Sequence, residues 1–204
     1  QIAKDKAEVK LLLPPGVESH TFEPTAADVI SINESDIFLY TGKYMEPWVE
    51  NIVSGSIDSD VKVRDVSSGV DLIKIEHDHD EVHEHDHDHI YDPHIWLDLS
   101  LACKIVDNIK STLCEVDSVN ANYYESNAKE YKSQLMILDQ EIKSVVRDAK
   151  HKSIVFGGRF AHAYFVKRYG LGYKTAYRGC SAESEPSLQS ISEIVKFIKD
   201  NDIP

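Results

Sequence analysis

Ten histidines are spread unevenly along the chain, and they occupy three kinds of setting in which a metal could be held. The densest is HDHDEVHEHDHDH, where His77, His79, His83, His85, His87 and His89 are threaded with acids and no Lys or Arg intervenes. Imidazole and carboxylate alternating in this way offer many weak, exchangeable sites, and so polar a segment argues against a fixed tetrahedral cage. A disordered acidic spacer is the plainer reading. Two other histidines are solitary. His20 lies in the proline-bounded stretch PPGVESHTFEPT, and His94 lies in YDPHIWLD, where Pro93 fixes the backbone ahead and Trp96 and Leu97 anchor the chain just after it. Neutral imidazole is a common ligand for zinc, copper, nickel and iron, and α/β folds gather ligands on loops that come after strands. A turn histidine bonded to backbone is the alternative for each.

No HxHxDH occurs within the rich tract, and the chain has no GxSxG nucleophile turn. A zinc hydrolase would have to use an open metal position, with Glu18 or Glu23 as base. Cys103, Cys114 and Cys180 show no CxxC spacing, so buried free thiols are expected rather than a zinc ribbon or a disulfide framework. Asp and Glu outnumber Lys and Arg by 35 to 22, a net charge of -13 that disfavours nucleic acid or an anionic membrane as partner. About half of that excess is local, in Glu76, Asp78, Asp80, Glu81, Glu84, Asp86 and Asp88. No apolar run is long enough to span a bilayer. The chain opens at Gln1, as a processed or trimmed chain would.

The elements that must position these histidines alternate in an α/β rhythm. VKLLLPPG reads as a buried strand stopped by Pro14 and Pro15; Thr25 caps a helix over TAADVISINES, and DIFLYTG is a strand ending at Gly42. KYMEPWVENIVSG reads as a short helix, VKVRDVSSGVDLI as a strand, and DLSLACKIVDNIKSTLCEV as a helix with Leu101, Ile105, Ile109 and Leu113 on one face. From Asn120 to Lys150 no Gly or Pro occurs, and Tyr124, Ala128, Tyr131, Leu135, Leu138, Ile142 and Val145 recur in steps of three and four. That pattern predicts a helix of roughly 30 residues, ~45 Å long, packed on a coiled-coil partner or along two lobes. SIVFGG then reads as a strand, RFAHAYFVKRYG as a helix ended by Gly170, YKTAYRG as a strand and SLQSISEIVKFIKDN as a helix.

Together, PPGVESHTFEPTAADV, YMEPW, DPHIWLDLSLACKIVDNI and YFVKRYGL with EPS after it resemble the zinc- and manganese-binding solute receptors of ABC transporters, over nearly the whole chain. The resemblance implies two α/β lobes joined by one long rigid helix, with the metal between them. It divides the chain into an N-terminal lobe at 1–118 with a histidine-rich loop at 76–92, a linking helix at 119–150, and a partial C-terminal lobe at 151–204. The family's first strand and most of its first helix would precede Gln1, and its last elements would lie beyond Pro204. His20 and His94 match the first two ligands. The third falls at Arg159, which has no lone pair to donate, and His162 on the same helical face is its possible replacement or else a partly buried helix residue. Glu183 and Glu185 are further acidic candidates from the C-terminal side.

The family's rich loop is a variable segment near the metal entrance, characteristic of zinc rather than manganese members, and manganese prefers oxygen ligands. The implied function is a non-enzymatic receptor that captures Zn2+ outside the cytoplasmic membrane, in the periplasm or at a cell surface with or without a lipid anchor. Its implied partner is an ABC permease, and a monomer is expected. A manganese receptor, an adhesin or a zinc buffer of the same family are the alternatives.

Overall fold

A computed structural model describes residues 1–74, 91–177 and 186–203. The six tract histidines, Cys180, Glu183 and Glu185 therefore lie outside the described residues. The described elements begin with α1 (Ala26–Asn33), set by a reciprocal cap: Asp28 N–H donates to Thr25 Oγ1 at 3.3 Å while Thr25 N–H donates to Asp28 Oδ2 at 2.8 Å. Strand β1 (Ile37–Tyr40) pairs in parallel with β2 (Lys62–Asp65), and the short helix α2 (Val49–Val53) lies between them in sequence. Phe38, Trp48, Val49, Val61 and Ile32 form the core there, with Leu12, Leu13 and Phe22 packed against it.

The stretch VKLLL is not a strand. Val9 and Leu11 are 85% and 78% exposed, and only Leu12 and Leu13 reach the core, so no described strand supplies the ladder that this segment would need. VKVRDVSSGVDLI also divides: β2 ends at Asp65, the chain turns through Gly69 at φ 78°, and a second run, β3 (Ile73–Lys74), pairs antiparallel with β4 (Tyr91–Asp92). Positive φ at Gly69 is what breaks the extended chain.

Helix α3 (Leu99–Val116) opens on Asp98, whose Oδ1 accepts the N–H of Ser100 at 2.8 Å and of Leu101 at 3.4 Å. Along it packs α4 (Ala121–Asp148), the long helix expected from the pattern. Ile2, Ala3, Val106, Leu113, Tyr124 and Ala128 form their shared core, with Ile109, Tyr131 and Leu135 against it. The apolar stripe of α4 is thus covered over its first half, whereas Leu138 and Val145 are 43% and 70% exposed. Beyond α4, β5 (Ser153–Phe156) pairs in parallel with β6 (Gly172–Thr175) around α5 (Ala163–Tyr169), which Gly170 ends at φ 63°. Helix α6 (Leu188–Asp200) completes the described elements. None of the helices among the described residues is long and apolar enough to cross a membrane.

Candidate metal site

His20 sits in a single 3-10 turn, Ser19–Thr21, beyond the Pro14–Pro15 corner. Anchors on both sides hold that turn. Phe22 sets its ring edge-on against Trp48 at 5.4 Å, and Ser19 Oγ donates to Met45 Sδ at 3.7 Å. The imidazole is drawn inward, its side chain 8% exposed, with Glu18 Oε1 at 4.0 Å from Nε2.

His94 is held more tightly. The chain leaves β4 at Asp92, passes the fully buried Pro93 and enters a 3-10 segment, Ile95–Leu97, whose Ile95 is also fully buried. Asp92, itself buried, accepts at Oδ1 both the backbone N–H of His94 at 2.8 Å and its ring Nδ1–H at 2.7 Å. A carboxylate only accepts, so the ring proton belongs on Nδ1 and Nε2 keeps its lone pair. An outer carboxylate orienting an imidazole in this way is what metal-bound histidines generally have.

The fold brings these two rings together, with centroids 5.6 Å apart and planes at 69°. Trp96 stands 5.5 Å from His94. Two imidazoles so placed can turn two nitrogens toward one ion at the ~2.0 Å that zinc requires. Among the described residues, no group of three or more His, Cys, Asp or Glu gathers at metal-binding spacing, so the described part of the site is a pair.

His162 is placed differently from the expectation. Helix α5 begins only at Ala163, and His162 is its N-cap residue with φ -120° and ψ 21°. Arg159 lies in irregular chain just after Gly157 and Gly158, so the two do not share a helical face; residues that have left the helix lose its periodicity. The His162 ring stacks on Phe156 at 4.6 Å and lies 6.1 Å from Phe160. Its Nδ1 is buried and makes no hydrogen bond among the described residues, a cost that an ion or other ligand at that nitrogen would relieve.

Sequence patterns gave no notice of Asp139. It lies in the middle of α4, its side chain fully buried, where Arg168 of α5 grips it with Nε on Oδ1 and Nη2 on Oδ2, both at 3.0 Å. Tyr169 Oη donates to Oδ1 at 3.2 Å and Lys143 Nζ to Oδ2 at 2.7 Å. Arg168 also donates from Nη1 to Ser100 Oγ at 3.1 Å and stands 3.5 Å from Asp98, at the start of α3. The Arg168 guanidinium holds the Asp139 carboxyl down to about 2, and burial together with Asp139 pushes the Tyr169 hydroxyl up to about 12. The only available signal was an acid beside an apolar stripe.

Two parallel β-α-β units, with a 28-residue helix between them and a histidine pair on the loops before it, define a two-lobed α/β protein with a candidate metal site. The chain belongs to the ZnuA family, zinc-uptake complex component A, periplasmic, whose family model matches residues 1–204. It is similar to the high-affinity zinc uptake system protein ZnuA of Bacillus subtilis, 37% identical over 206 residues, which cover all of this chain and 64% of that protein. It is also similar to the zinc-binding lipoprotein AdcA of Streptococcus pneumoniae, 33% identical over 217 residues, all of this chain and 41% of that one. Among solved structures, the metal-dependent lipoprotein YcdH from Bacillus subtilis superimposes with a TM-score of 0.81 at 33% identity, over 98% of this chain and 70% of that chain. The chain thus spans less than two thirds of the length of the relatives named first.

Proposed function

We propose that this protein captures Zn2+ on the outer side of the cytoplasmic membrane and passes it to an ABC permease, acting as a monomeric receptor and not as an enzyme. The observation that carries the reading is the pairing of His20 and His94, rings 5.6 Å apart, with Asp92 fixing the tautomer of His94. Imidazole nitrogens of this kind suit zinc better than manganese, which favours oxygen donors. The names of the relatives, a zinc uptake protein and a zinc-binding lipoprotein, support the same cargo.

In this reading residues 1–118 are the first lobe, 119–150 the linking helix and 151–204 part of the second lobe. His162, whose buried Nδ1 has no hydrogen-bond partner among the described residues, is the third ligand that the second lobe supplies. The histidine tract from His77 to His89 gathers zinc by weak, fast exchange and hands it inward. Calorimetry on the whole protein is expected to show one tight site and several weak ones. His20→Ala and His94→Ala each abolish the tight site, while deletion of 77–89 leaves it and removes the weak ones. A tight site that survived both substitutions would overturn the assignment.

A further inference from the structure

One face of α5 touches both ends of the loop that carries His94. Tyr164 and Arg168 are four residues apart, one above the other on the helix. Tyr164 is 2% exposed, and its hydroxyl makes two bonds: it accepts the N–H of Ile73 at 2.9 Å and donates to the carbonyl of Asp92 at 2.8 Å. Ile73 and Asp92 are register partners in the β3–β4 ribbon, so a single oxygen from beyond the long helix ties both strands. Asp92 is the residue whose carboxylate orients His94, and a shift of its backbone moves that carboxylate too. At the other end, Arg168 reaches Ser100 and Asp98, the cap that starts α3 directly after the 3-10 turn of His94. Asp139 holds the guanidinium in that pose.

We propose that Tyr164 and Arg168 are positioning residues of the metal site, a clamp that fixes the 92–100 loop from α5 and presents His94 to the ion before the ion arrives. The proposal rests on the reading of His94 as a ligand. Neither side chain is asked to touch the metal. The loop stays ordered without zinc, so binding loses less conformational freedom, and α5 sets the distance between His94 and its own N-cap residue, His162.

The test compares whole-protein variants by chelator competition for Zn2+ and by the visible spectrum of the Co2+ form. Tyr164→Phe removes one oxygen and keeps the ring; Arg168→Gln removes the grip on Asp98 and Asp139. Each is expected to weaken zinc about tenfold, the range of outer-shell substitutions, with the Co2+ spectrum unchanged because the ligands are the same. Leu113→Ala, in the α3–α4 core, serves as a control of lowered Tm and is expected to keep the zinc affinity. Wild-type affinity in Tyr164→Phe and Arg168→Gln, alongside loss of the tight site in His94→Ala, would refute the clamp and leave the ligand reading standing. Tight binding that persists in His94→Ala would instead remove the ligand reading, and the clamp with it. An equal loss in Leu113→Ala, or a changed Co2+ spectrum, would also overturn the proposal, the first by showing general destabilisation and the second by showing a lost ligand. Should Arg168→Gln fail to fold, Tyr164→Phe carries the comparison.

Discussion

Replacing Asp139 by Asn isolates the ion pair that joins the long helix to α5. Asn keeps the shape but leaves Arg168, whose side chain is 20% exposed, without its bidentate partner. The linkage sets a lower figure. A carboxyl held at about 2 in the fold and 3.8 in the unfolded chain contributes 1.8 × 1.36, about 2 kcal/mol, at pH 7. Leaving one partner of a buried pair uncompensated costs about 3 to 5 kcal/mol in general, so the expected loss is about 3 kcal/mol. For a chain of this size that is a fall in Tm of roughly 6 to 12 °C. Because the folded value lies below the unfolded one, this stability is present above pH 3.8 and is lost as pH falls through about 2. Urea melts of the metal-free protein at steps from pH 7 downward should therefore show the gap between wild type and Asp139→Asn closing below about pH 4. A gap under about 1 kcal/mol at pH 7, or one that stays constant on acidification, would refute this reasoning.

Burial raises the Glu46 carboxyl from 4.5 to about 7, against the opposing bond from the Thr41 N–H. The raised value means that stability is full below pH 4.5 and falls as pH rises through about 7, so Glu46→Gln should gain up to about 3 kcal/mol over wild type between those limits, read from urea midpoints at pH 5 and pH 8. Zinc affinity should decline as pH drops through ~6.5, where free imidazole protonates; titrations that agreed at pH 7.5 and pH 5 would contradict a histidine-based site. Gly42 has φ 103°, and an added Cβ would stand 2.6 Å from Ser67 Oγ, which is bonded to Asp65. Gly42→Ala should lower stability by about 1 to 3 kcal/mol in a thermal melt, and an unchanged Tm would show that the turn yields freely.

Much of the fold was legible because its signals are local. The Thr25 cap, the Asp98 cap, the stop at Gly170 and the apolar steps from Tyr124 to Leu135 all act within a turn or two of helix, where sequence distance and spatial distance agree. VKLLL misled for the complementary reason: an apolar run becomes a strand only if a neighbour accepts its hydrogen bonds, and composition does not report neighbours. RFAHAY misled at a boundary, since the two glycines before it let the chain stay irregular until Ala163.

For the candidate site, the sequence alone determined the candidate donors: which histidines are solitary, that proline and aromatic neighbours frame them, and that an acidic histidine tract accompanies them. Only the tertiary structure decided which of them meet. His20 and His94 come within 5.6 Å because Phe22 plugs into the Trp48 core and Ile95 is buried beneath its loop. The Asp92 carboxylate, the Tyr164 hydroxyl at the β3–β4 ribbon and the Asp139–Arg168 pair become visible only then. Ligand identity is a property of single residues, whereas orientation depends on contacts between residues far apart in the chain, and those contacts exist only once the helices and strands have packed.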